Sequence, residues 1–409
     1  MTNVVPDGRS RPRIEHASSE GSVQPGRVFW STVVTAFGVV AVVLAVVVAV
    51  ASATVHRPIP FLTGPGWLDG WFQFDSGWYY AIATGGYDYT PGQQSSIAFF
   101  PTYPMAVRLL SGMVGDVQLA GTLVGVGSGL AAVLLFAGWV RTRLPRRSAM
   151  LAVAVLLLYP FSLYLYGAMY ADSLFLLTAL GAFLLLERRS YVLAGLVGAL
   201  ATAGRPVGVA VAAGLVVRML ELLAQDRGED GLRAVLRAVP AVRWRQAGVL
   251  LSGAGLLAWT VYLGVTFGNP LAFVEVESAP GWDQGVGPRT WFKVAYVTLF
   301  LESHWRMALL LSLQAAACLA AVLLLRRVWR LFGAGYLVYA LVVLAIPIVG
   351  TDDFMGTGRY VLVAFPVMAA AGDFLATRRH RWIAPLVLAA CGLLLAVLTS
   401  YYARGIEVS

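Results

Sequence analysis

Charge is what this chain has least of. Only 12% of its 409 residues are Asp, Glu, Lys or Arg, while 59% are hydrophobic. Soluble domains carry about twice that share of charge. The deficit excludes an ordinary soluble enzyme and, with so many long apolar runs, specifies a polytopic membrane protein. Lysine is nearly absent: of 30 basic residues only Lys293 is lysine. Cysteine is equally scarce. Cys318 and Cys391 both lie inside apolar runs, so neither a disulfide framework nor a CxxC site is available. No HExxH, paired histidines or cysteine cluster occurs, so no metal site is indicated and no cofactor is implied. GxxxxGK[ST] and GxGxxG are missing too, which leaves nucleotide binding unsupported. The formal charge of +9 comes in short Arg clusters between apolar runs. That pattern orients a membrane protein and does not describe a nucleic-acid surface, so membrane lipids are expected partners and nucleic acid is not.

What is present is a series of spans. Residues 1–27 are rich in Ser, Pro and Arg and read as a disordered cytoplasmic tail. Ala51-Ser52-Ala53 resembles a signal-peptidase site, but the run 28–55 is long for a signal sequence and reads as a retained anchor. Spans of roughly 20 apolar residues are expected near 28–55, 117–140, 148–166, 172–187, 191–204, 207–223, 246–267, 306–325, 332–349, 359–376 and 383–401, about eleven within one transmembrane domain over 28–401. A short tail, 402–409, follows.

The arginine loops order these spans. They lie at Arg141–Arg147, Arg188–Arg189, Arg227–Arg245, Arg326–Arg330 and Arg378–Arg381, and all must be cytoplasmic. With the N-terminus inside, the apolar stretch 98–114 then cannot cross. Its Pro101, Pro104 and Arg108 suit a re-entrant or surface-lying helix. The Arg-poor segments 56–116, 167–171, the bend at Arg205, 268–305 and 350–358 share the outer side. They hold Asp75, Asp88, Asp172, Asp283, Lys293, His304, Asp352, Asp353 and Arg359. No internal repeat supports an inverted-repeat transporter.

In "WFQFDSGWYYAIATGGYDY", Trp71, Asp75, Trp78 and Ile82 are spaced four, three and four apart, with Tyr79 beside them. That spacing predicts one face of a helix lying along the outer interface and ended by Gly85 and Gly86. Asp75 is either incidental to an aromatic belt or a general base among rings that stack on a sugar or lipid. Asp172 opens an apolar run, where it serves as an ordinary N-cap or supports a site. Arg205, in "AGRPVGV", sits at membrane depth and needs an anionic partner, either a carboxylate such as Asp172 or a lipid phosphate. Arg359 opens a span from the outer side, either snorkelling to the interface or binding phosphate. His304 and Lys293 are further candidates from the loop 268–305.

Six ordered pieces, "FDSGWYYAIATGGY", "AFFPTYP", "YGAMYADSLF", "AGRPVGV", "FGNPLAF" and "GRYVLVAFP", resemble the PIG-V family of mannosyltransferases, within the GT-C class of multi-spanning glycosyltransferases that use polyprenyl-phosphate sugars. Phe74 replaces the family's Trp, and Asp172 stands where the family has a Glu. The resemblance implies an all-α GT-C-like fold and an inverting transfer of mannose from a polyprenyl-phosphate-mannose donor to a glycolipid, lipoglycan or glycoprotein acceptor. In a bacterial branch the site would face outward from the plasma membrane. The expected roles are Asp75 as base, Arg205 and Arg359 on the lipid phosphate, Trp78 and Tyr79 stacking on substrate, and Asp172 in support, with His304 or Lys293 contributing. The alternatives are another lipid-phosphate sugar such as arabinose, or a lipid flippase.

Overall fold

An apolar chain in hydrocarbon satisfies its backbone by coiling into helices, and the computed structural model is all-α. It describes residues 26–55, 62 and 64–408, and among these no strand occurs. The tail expected over 1–27 lies, save its last two residues, outside the described residues. The principal helices are α1 (Gly26–Ala53), α2 (Ser76–Gly85), α3 (Thr102–Val114), α4 (Val117–Arg141), α5 (Arg146–Leu158), α6 (Asp172–Glu187), α7 (Tyr191–Thr202), α8 (Val209–Gln225), α9 (Ala254–Phe267), α10 (Trp305–Phe332), α11 (Ala334–Gly350), α12 (Thr357–Val363), α13 (Phe365–Ala376) and α14 (Ile383–Ala403).

Every expected span carries helix. Six described segments are long and apolar enough to cross a membrane unaided: Val28–Ala53, Val117–Arg141, Pro206–Gln225, Trp244–Phe267, Trp305–Phe332 and Ile383–Ala403. A seventh counts if α12 and α13, bent by 79° at their junction, are one broken span. The others are short: α5 has 13 residues, α6 has 16 and α7 has 12, against roughly 20 for a full crossing. α3, at 13 residues, likewise has the length of a non-crossing helix.

A network of arginines and carboxylates surrounds the Glu187 end of α6. Glu187, the last residue of α6, accepts from Arg218 Nε at 2.8 Å and Tyr336 OH at 2.9 Å, and lies 3.2 Å from Arg143. Glu221 takes Arg218 Nη1 at 3.2 Å and the backbone N–H groups of Ala334 and Gly335, so a carboxylate satisfies the open N-terminus of α11. Nearby, Asp373 accepts from Ser148 Oγ at 2.7 Å and Arg327 Nε at 2.8 Å. Asp172 is at the opposite end of α6, so the other polar candidates collect away from this network.

The expected single stripe over 71–82 is interrupted. Trp71 ends a separate 3₁₀ turn, Gly66–Trp71, and α2 begins only at Ser76. The break falls at Phe74, whose φ of 49° no helix accommodates. Trp71 is buried beside Tyr402 rather than sharing a face with Trp78.

Close packing of small residues brings α5 and α13 together, as in other membrane helix pairs. A Cβ on Gly372 would lie 2.2 Å from the backbone nitrogen of Ala152. Overpacking of this kind costs about 1–3 kcal/mol. Gly372→Val should therefore lower the thermal midpoint of the detergent-solubilised protein by several degrees; an unchanged midpoint would mean that the α5–α13 contact tolerates a wider spacing.

Candidate active site

The turn carrying Asp75 is held in a costly conformation. A non-glycine residue at positive φ costs of order 1–3 kcal/mol and persists only where its surroundings impose it. Around Phe74 two buried tyrosines do so. Tyr402 OH donates to Trp71 O at 3.1 Å, and Tyr170 OH accepts the Asp75 N–H at 3.2 Å while lying 3.4 Å from Gln73 O. Asp75 thus stands at the N-cap of α2, yet its side chain makes no capping bond. Its Oδ2 instead accepts from Arg359 Nη1 at 2.8 Å.

Arg359 lies in the first turn of α12, its guanidinium 5.4 Å from the Tyr164 ring and 5.0 Å from the Tyr170 ring. Gly358 permits this placement, since a Cβ there would come 2.6 Å from the Phe161 ring. Tyr159 OH adds a hydrogen bond to Gly358 O at 3.0 Å. Arg205 sits in extended backbone between α7 and Pro206. It forms an ion pair with Asp172 in which the two side chains are 8% and 1% exposed, and it lies 4.6 Å over the Tyr360 ring. Asp172 is therefore the anionic partner of Arg205.

These groups border a cavity of about 290 Å³. Asp75, Tyr79, Phe99, Arg205, Trp282 and Arg359 line it, and Glu277, Asp353 and Glu407 complete its wall. Trp78 stands behind that wall, stacked on Phe99 at 5.7 Å and edge-on to Trp282 at 5.8 Å. Asp172 stands behind Arg205 and does not itself line the cavity, and two further candidates lie away from it. His304 is exposed and pairs with Glu302 at 3.4 Å. Lys293 donates to Ile348 O at 2.5 Å and to Thr351 O, so its ammonium neutralises the C-terminal carbonyls of α11.

Glu277, Glu407 and Trp282 come from positions where no motif signals a role. Burial, and then the neighbouring Asp75, pushes the Glu277 carboxyl up to about 7. Burial also raises Asp353, with Asp352 adding to the effect, and partial desolvation with Asp75 and Asp353 raises Glu407. No three of these carboxyls converge, among the described residues, on a point that would hold a metal ion.

No protein family matches the chain, and no curated protein matches it. Solved structures do. ArnT from Cupriavidus metallidurans, crystallised with undecaprenyl phosphate, is 18% identical with a TM-score of 0.50, over 91% of this chain and 69% of that one. The oligosaccharyltransferase AglB from Archaeoglobus fulgidus, in complex with an inhibitory peptide and a dolichol-phosphate, is 13% identical with a TM-score of 0.47, over 92% of this chain. The chain spans 56% of that protein's length, and 56% of the apo oligosaccharyltransferase from the same organism. The fold is GT-C-like, and the chain is a multi-pass membrane protein.

The buried pair and the raised carboxyl each carry a prediction. Removing one partner of a buried ion pair strands the other charge, at about 3–5 kcal/mol. Asp172→Ala should destabilise the protein far more than Asp75→Ala, whose ion pair is 14% and 30% exposed; thermal unfolding in detergent compares them, and equal losses would contradict the assignment. For Glu277, the folded value of about 7 lies above the ordinary 4.5. The native state holds the proton longer, so stability falls as pH rises from about 4.5 through 7. Glu277→Gln should flatten that part of the curve of thermal midpoint against pH.

Proposed function

We propose that the chain is a PIG-V-like mannosyltransferase. It moves mannose from a polyprenyl-phosphate-mannose donor to a glycan or glycolipid acceptor, with its active site on the outer face of a bacterial plasma membrane. One observation carries this reading. Four of the six family-like pieces, distant in sequence, contribute Asp75 and Tyr79, Ala98 to Phe100, Gly204 to Pro206, and Arg359 and Tyr360 to one cavity. A fifth supplies Asp172, which holds Arg205. The sixth places Phe273 edge-on against Phe100 at 5.3 Å. The likeness in fold to a protein bound to undecaprenyl phosphate supports a polyprenyl-phosphate donor.

The chemistry is a single displacement. An acceptor hydroxyl oxygen attacks the anomeric carbon of the sugar. The bond from that carbon to the phosphate oxygen breaks, and its electron pair leaves with the lipid phosphate. The hydroxyl proton passes to Asp75, and the sugar centre inverts. Asp75 Oδ2 is held by Arg359, while Oδ1 takes no hydrogen bond among the described residues and remains for the incoming hydroxyl. Arg205 and Arg359 carry the growing phosphate charge with donors already in place, where such preorganisation is most effective. Arg359 thus touches both ends of the reaction, orienting the base and receiving the leaving group. Tyr79, Phe99 and Trp282 offer ring faces to the sugar, and Trp78 braces two of them.

General-base assistance is worth roughly 10²–10⁴-fold. Asp75→Asn should therefore cut mannosyl transfer from synthetic polyprenyl-phosphate-mannose by at least about 10²-fold, with folding and undecaprenyl-phosphate binding retained. A variant that turns over at the parental rate would remove Asp75 from the role of base.

A further inference from the structure

We propose that the C-terminal segment 404–408 forms part of the acceptor half of the cavity, and that Glu407 is a specificity-determining residue that hydrogen-bonds a hydroxyl of an uncharged sugar acceptor. This rests on the transferase reading above. After α14 the chain does not run out into solvent. Gly405, at φ 72°, turns it back, with Gly405 N–H on Tyr402 O at 2.9 Å and Ile406 N–H on Tyr401 O at 3.0 Å. Val408 is 1% exposed. Its carbonyl accepts from Gln314 Nε2 at 3.3 Å, and Gln314 Oε1 accepts the N–H of Gly358 at 3.1 Å. One buried amide therefore fastens the segment to the residue before Arg359. Between those anchors Glu407 reaches the cavity with an exposed side chain, and its carboxyl has no hydrogen-bond partner among the described residues.

The charges around it indicate what it binds. Arg205 and Arg359 already hold Asp172 and Asp75. Under the transferase reading their remaining donors go to the donor phosphate, so Glu277, Asp353 and Glu407 set the charge of the rest of the wall. An anionic acceptor would add like charge to this wall, whereas sugar hydroxyls donate to it. A hydrogen bond to a charged group is worth about 1.5–3 kcal/mol, or roughly tenfold or more in affinity.

The test uses the full chain in detergent, with octyl α-D-mannopyranoside as the neutral probe and its 6-phosphate as the anionic one. Binding is read from tryptophan fluorescence, and transfer from synthetic polyprenyl-phosphate-mannose is assayed separately. The expectation is that the wild type binds the neutral mannoside at least about tenfold more tightly than the phosphate. Glu407→Gln should weaken neutral binding about tenfold and narrow that preference, with thermal midpoint and undecaprenyl-phosphate affinity unchanged. Val408→Asp, which expels the anchor, should reproduce the loss. Absence of neutral-mannoside binding, equal binding of both probes, or a Glu407→Gln variant that binds as the wild type does would overturn the proposal. If Glu407-dependent mannoside binding is present but no mannose is transferred, the donor assignment fails and the acceptor assignment stands.

Discussion

An ion pair between Asp75 and Arg359, 284 positions apart in the sequence, is the contact on which the outer end of this protein is organised. Its two halves arrive by strained routes. Asp75 follows a residue at positive φ, and Arg359 stands at the start of a helix that bends by 79° a few residues later. Tyr170 makes them compatible, since its hydroxyl takes the backbone N–H of Asp75 while its ring lies under the guanidinium of Arg359. Tyr402 braces the same turn from the opposite end of the chain. Four distant segments thus meet at a single charge pair, and the cavity is the space they leave beside it.

The molecule separates two uses of charge along one helix. α6 carries Asp172 at its first residue and Glu187 at its last. At one end a buried carboxylate has a single arginine partner facing a cavity. At the other, a carboxylate is shared by two arginines and a tyrosine hydroxyl in a closed network. The second arrangement ties helices together; the first leaves guanidinium donors toward open space. Both involve Arg and a carboxylate, and the number of donors around the carboxylate distinguishes them.

Much of this was legible in sequence. Apolar runs located the helices, because hydrophobicity acts on every residue of a span. The cost of a lone charge in hydrocarbon required an anionic partner for Arg205, with a carboxylate or a lipid phosphate as the alternatives, and the structure supplies Asp172. Other features left no trace. The spacing of Trp71, Asp75 and Trp78 fits helix, but spacing alone does not register the single backbone rotation at Phe74. Lys293 is a candidate by its place in the outer loop 268–305, yet its ammonium serves the carbonyls of a helix end. Glu277 and Glu407 carry no motif. Their position depends on how loops fold back over the cavity, and no local pattern encodes that.

The shortness of α7 bears on the bilayer itself. Twelve residues rise about 18 Å, while a hydrocarbon core is about 30 Å thick. Leu193, Leu196 and Leu200 on this helix are half exposed, so its surface meets acyl chains. Thinning of the adjoining lipid is one way a bilayer matches so short an apolar face. Arg205 lies three residues beyond the end of α7. Under the proposed reading, a bilayer thinned there would bring a prenyl-phosphate headgroup toward the depth of the arginine without drawing its chain out of the hydrocarbon.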